Sequence, residues 1–108
     1  MEIVLTVDVG HPPRRPERVE CELEEALLQV SGPTAFRVMK IIHGRSGTTK
    51  ETVRNWAHDH RRRLRGIIYG ENYSIFDEQT QEMRRIVEQF SDKDLETSNV
   101  GITILWVK

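Results

Sequence analysis

Asp8, His11 and His43 are the residues of this 108-residue chain whose types and settings suit acid–base or phosphate chemistry. Asp8 stands near the end of an apolar stretch, and His11 follows it in Gly10-His11-Pro12-Pro13. His43 ends a second apolar stretch and opens the turn Gly44-Arg45-Ser46-Gly47. A carboxylate beside an imidazole can position a water or bind a divalent cation, because the imidazole titrates near neutrality. A glycine-rich turn that opens a helix presents backbone N–H groups with no intrahelical partner, together with a partial positive charge, and this suits a phosphate. Both motifs also have plain structural uses. An Asp at a strand end caps the following turn, and a histidine before a glycine turn can be held by backbone groups alone.

The charge pattern adds to this. Net charge is −1, yet between His43 and Gly66 there are seven basic and two acidic residues, a local balance of +5. Between Glu71 and Glu96 there are eight acidic and three basic residues, a balance of −5. Such polarisation can present one basic face to a polyanion, although charge runs are also ordinary solvated helix surfaces. Arg14 and Arg15 form one basic island in the proline-rich loop, where an extended segment can follow a phosphate backbone. Arg45 and Lys50 flank the helix start, where cations oppose the helix dipole, and Arg61, Arg62 and Arg63 form a third cluster.

Positioning these groups requires the elements around them. Ile3, Leu5, Val7 and Val9 alternate with Val4, Thr6 and Asp8, which predicts a strand with one strongly apolar face. Gly10 to Pro16 is an extended loop, because prolines remove donors and bias their neighbours away from helix. Val19, Leu23, Ala26, Leu27 and Val30 form the apolar stripe of a helix over about Glu17–Val30, stopped by Ser31-Gly32-Pro33. A second strand is expected over Phe36–His43. Thr48 as N-cap and Glu51 three residues on predict a capping box for a second helix. That helix carries Val53, Trp56, Ala57, His60 and Leu64 at helical spacing. A third strand over Arg65–Tyr69, a third helix over Asp77–Phe90, a loose polar stretch over Asp92–Asn99 and a buried strand over Val100–Val107 complete the order. Tyr69 and Tyr73 flank a glycine, where they can pack at an edge or stack on bases; Trp56 and Trp106 read as packing residues.

This order predicts a two-layer βαβαβαβ α/β domain with a small mixed, mostly parallel four-stranded sheet. The first three strands are expected to be parallel through crossovers, and the last fits either sense. Parallel strands bring their carboxyl ends to one edge, where ligands favour binding. That edge would collect Asp8, His11 and His43 with Gly44, Arg45, Ser46 and Gly47.

The stretch Val38–Asn55 (VMKIIHGRSGTTKETVRN) resembles the second strand, His-Gly loop and second helix of the small MutS-related (Smr) domain. Asp8-Val9-Gly10-His11 stands where that family has Asp-Leu-His-Gly, and Glu24-Glu25-Ala26-Leu27 at its Glu-Glu-Ala-Leu helix. Ile41-Ile42-His43-Gly44 stands at its Ile-Ile-His-Gly, and Gly101-Ile102-Thr103-Ile104-Leu105 is similar to its closing strand. The order of His and Gly in the first motif is exchanged, and the loop reads His-Gly-Arg-Ser-Gly rather than His-Gly-x-Gly. The resemblance implies a fold similar to the C-terminal domain of translation initiation factor three. It also implies DNA or RNA as partner, and a candidate nicking endonuclease with Asp8, His11 and His43 as catalytic residues, assisted by Mg²⁺ or Mn²⁺. The phosphate contacts would fall to Arg14, Arg15, Gly44, Arg45, Ser46, Gly47, Lys50, Arg61, Arg62 and Arg63. A non-catalytic module docking on RNA or protein is the alternative.

The length suits one domain over 1–108. With Cys21 alone there is no internal disulfide and no cysteine-based zinc site. No apolar run approaches the roughly 20 residues that cross a bilayer. The N-terminus lacks the basic flank of a signal peptide, so a cytoplasmic protein without a membrane partner is expected.

Overall fold

The computed structural model describes residues 4–31, 36–45, 47–72, 78, 81–82, 85 and 100–108. The elements run β1 (Val4–Asp8), α1 (Pro16–Val30), β2 (Val38–Ile42), α2 (Thr48–Asp59), β3 (Leu64–Tyr69) and β4 (Ile102–Val107). Short 3₁₀ turns at Arg61–Arg63 and Gly70–Asn72 flank β3. The helix expected over Asp77–Phe90 falls outside the described residues, apart from Glu78, Gln81, Glu82 and Arg85, which are helical and exposed. The loose stretch expected over 92–99 is also outside them.

Helix α1 begins with Pro16 in its first turn, where the missing N–H costs nothing. Its stripe of Val19, Leu23, Ala26, Leu27 and Val30 is buried as its spacing predicts. At its end the Ser31 backbone N–H donates to the Leu27 and Leu28 carbonyls, and the Ser31 hydroxyl donates to the Leu27 carbonyl at 2.6 Å. Helix α2 departs from expectation at both ends. Thr48 is its first helical residue rather than its cap; Gly47 is the N-cap, with no side-chain cap hydrogen bond, so the expected capping box is absent. The helix stops at Asp59, and Leu64 opens β3 instead of extending the helical stripe.

The sheet order is β1-β2-β4-β3. Strands β1 and β2 pair in parallel, whereas β4 pairs antiparallel with β2 on one side and β3 on the other. A mostly parallel ladder is therefore not what forms. The first three strands run in one sense, but β3 reaches the sheet only through β4. Every residue of β4 is buried, so its continuous apolar run sits at the centre of the sheet, between β2 and β3. Strand β1, with Thr6 and Asp8 exposed, tolerates the sheet edge.

Both helices pack on one face of the sheet. Leu23, Leu27, Val53, Trp56 and Ala57 meet Met39, Ile41, Leu105 and Val107 there. The other face carries a second apolar cluster of Val38, Ile68, Ile102, Ile104 and Trp106, and Arg65 sits 5.6 Å from the Trp106 ring centroid. Because β1, β2 and β3 run in one sense, their carboxyl ends, the first turn of α2 and the start of β4 share one edge. Arg61–Arg63 lie at the opposite edge, where the Lys108 amide donates to the Arg63 carbonyl at 3.4 Å. Among the described residues no helix is long and apolar enough to cross a membrane.

Candidate nucleic-acid interface

The turn after β1 is organised by Asp8. Its Oδ1 accepts the backbone N–H groups of Gly10 and His11, each at 3.0 Å, so the carboxylate caps its own turn. His11 Nδ1 lies 3.2 Å from the same oxygen and 3.3 Å from Oδ2. The two readings of Asp8, turn cap and partner of an imidazole, hold together in one geometry. His11 is exposed to 68% and Asp8 to 40%, so the pair is open to solvent.

This turn is held against the second motif by close backbone approach. The Val9 amide donates to the Ile42 carbonyl at 2.9 Å. A Cβ built on Gly10 would stand 2.9 Å from both the carbonyl carbon and the oxygen of His43. Glycine at this position is what lets the two loops touch.

Strand β2 is shorter than the expected Phe36–His43, so His43 directly follows it; its ring turns into the fold and is only 2% exposed. Nδ1 lies 2.7 Å from the Gly44 carbonyl and Nε2 lies 2.8 Å from Thr103 Oγ1. A carbonyl only accepts, so Nδ1 carries the proton, and Nε2 must accept from the Thr103 hydroxyl. Thr103 Oγ1 in turn accepts from Arg54 Nε at 3.2 Å. The Arg54 guanidinium then engages both carboxylate oxygens of Glu71, one at 2.9 Å. Arg54 thus donates on one side to Glu71 and on the other to Thr103, which donates on to His43, a chain that joins the 3₁₀ turn after β3, α2, β4 and the glycine loop. Thr103, Arg54 and Glu71 carried no sequence signal as a group, since they are distant in the chain and each type is common on surfaces.

Burial, the largest cause, holds the His43 pKa below its ordinary 6.5; Arg54 and Lys50 act in the same direction, while the Gly44 carbonyl and Glu71 oppose them. Glu71 is held below its ordinary 4.5 chiefly by its hydrogen bond to Arg54. The unfolded chain therefore binds more protons than the fold at both groups, and stability falls on acidification. The His43 contribution is intact above pH 6.5 and lost as pH falls from there through its lower folded value. The loss due to Glu71 begins only below pH 4.5. Urea denaturation between pH 7.5 and 5.5 (roughly spanning the ordinary histidine range) should show this decline, and His43→Gln should flatten it.

The glycine loop presents the start of α2. Gly44 and Gly47 have φ of +92° and +96°, a region that other residues rarely adopt. The N-cap Gly47 makes no side-chain cap bond, and the first amides of α2 have no intrahelical partner. Arg45 is exposed beside them, and Lys50 Nζ donates to the Arg45 carbonyl at 3.4 Å. Ser46 lies outside the described residues.

The remaining basic residues divide. Arg15 is exposed at the N-terminal end of α1, on the same edge. Arg14 is folded back, with its Nε 3.0 Å from Glu22 and one guanidinium nitrogen donating to the Pro12 carbonyl at 2.9 Å. Its charge is matched within the fold. Arg61, Arg62 and Arg63 are exposed at the far edge. Among the described residues no group of three or more His, Cys, Asp or Glu gathers to hold a metal ion. The described Asp8–His11 pair is too small a donor set to hold a Mg²⁺ or Mn²⁺ ion by itself.

No family model, curated protein or solved structure matches this chain.

Proposed function

We propose that this chain is a nucleic-acid-binding domain of the small MutS-related kind, with a fold of the type found in the C-terminal domain of translation initiation factor three, and that it grips a DNA or RNA backbone along the carboxyl edge. The observation that carries the reading is the sharing of one edge by the uncapped start of α2, the exposed cations Arg15 and Arg45, and the solvent-open Asp8–His11 pair. The amides and cations suit phosphate. Asp8 orients His11 through Nδ1 and leaves Nε2 to take a proton from a water attacking phosphorus, as the ester bond to the leaving oxygen breaks. His43, with both ring nitrogens engaged, positions the glycine loop and does not itself act on the phosphate.

One observation favours a binding module that does not cut: Asp8 Oδ1 already serves two turn amides. A combined gel-shift and cleavage assay decides between them. Labelled single-stranded and duplex DNA and RNA would be incubated with the protein, with and without Mg²⁺ or Mn²⁺. Products that disappear with His11→Ala and Asp8→Asn establish nicking. Shifted bands without products establish the binding module, and neither shift nor cut overturns the proposal.

The salt dependence of binding tests the surface. Each lost phosphate contact should reduce the slope of log K against log salt by about 0.7–0.9. Arg45→Ala and Arg15→Ala are each expected to do so. The triple change of Arg61, Arg62 and Arg63 to alanine should leave the slope unchanged, because those side chains face the opposite edge.

A further inference from the structure

We infer that Tyr69 is a stacking platform for an unpaired base, so that the strand bound at the carboxyl edge is single-stranded or locally unpaired. This rests on the proposed function and names its substrate class. Tyr69 is the last residue of β3, paired in register with Thr103, and so stands on the same edge as the glycine loop. It is 38% exposed.

One face of the ring is already occupied. The Arg54 guanidinium carbon lies 4.0 Å from the ring centroid. Arg54 is only 13% exposed, and its nitrogens are spent on Glu71 and Thr103. Its charge is matched, so it is a support for the ring and not a phosphate ligand. A planar guanidinium held in place this way fixes the orientation of the ring. A cation behind one face also draws electron density from the ring, which favours an electron-rich base on the other. The ordering that a stacking contact would otherwise require is already complete before ligand arrives. Stacking of this kind tolerates any base, since every base has a π-face, but the base must be free of a duplex stack.

The test compares the intact chain, Tyr69→Leu and Tyr69→Phe. Each is titrated with a mixed-sequence RNA and the equivalent DNA of about twelve nucleotides, single-stranded and as a blunt duplex. The intact chain should prefer the single strands. Tyr69→Leu should lose about ten-fold in affinity for them with no change for the duplexes, and Tyr69→Phe should retain the preference. Equal or tighter duplex binding by the intact chain overturns the inference while leaving the proposed function standing. The same holds if Tyr69→Leu binds single strands unchanged. Absence of binding to every probe overturns both.

Discussion

Replacing Gly10 by alanine should destabilise the fold by about 2 kcal/mol, the middle of the range for overpacking a close contact. The added Cβ would meet the backbone carbon and oxygen of His43 at 2.9 Å, and backbone atoms at the end of a sheet strand cannot swing aside as a long side chain can. The cost is steric and not conformational, because Gly10 is not among the glycines with positive φ. Relief must come from moving the Asp8–His11 turn away from β2. The variant should therefore also weaken nucleic-acid binding when compared at equal folded fraction. Gly44→Ala provides the contrast. A Cβ there meets nothing within 4 Å, yet φ is +92°, so its cost of about 1–2 kcal/mol is one of backbone conformation. Urea denaturation of the two variants measures the costs. The amide and ring resonances of His11 separate them, since only Gly10→Ala should displace that turn.

Thr103→Val should cost about 2 kcal/mol, because it removes a hydroxyl that serves two partners at once. Valine preserves the shape and fills the same space between β2 and β3. It leaves His43 Nε2 without a donor in a site 2% exposed and takes from Arg54 Nε its acceptor. The buried acceptor dominates the cost, since Arg54 keeps Glu71. Thr103→Ser, which retains the hydroxyl, should recover most of the lost stability in the same denaturation experiment. If valine costs little and serine carries the loss instead, methyl packing and not the hydrogen-bond chain holds Thr103 in place. The acid sensitivity assigned to His43 should also weaken in the valine variant, because a neutral ring without its donor has less reason to stay neutral and its folded pKa returns toward the unfolded value.

Local pattern made a good deal of this legible. The α1 stripe of Val19, Leu23, Ala26, Leu27 and Val30 is buried as its spacing requires, because helical period is a property of neighbours within a few turns. Strand β4 could be recognised as buried from its continuous apolar run. The cap of α2 lies one residue before the position that the local pattern marks. Thr48 and Glu51 match a capping box in letters, but Gly47 takes the cap, with φ of +96°. A backbone path set by the preceding loop overrode a side-chain preference worth about 1 kcal/mol.

Position in the chain determined by itself that Asp8 ends a strand, that His43 lies at the end of a second apolar stretch and that glycines precede α2. Those properties depend on residues close in sequence. The placement of β4 between β2 and β3 was decided only in the tertiary structure, since strand order depends on which apolar edges find partners across the whole chain. With that placement came Thr103 beside His43 and Arg54 beneath Tyr69. Residues 60 positions apart in the chain meet there. Their chemistry arises because desolvation and hydrogen bonding act through space, where no local spacing can announce them.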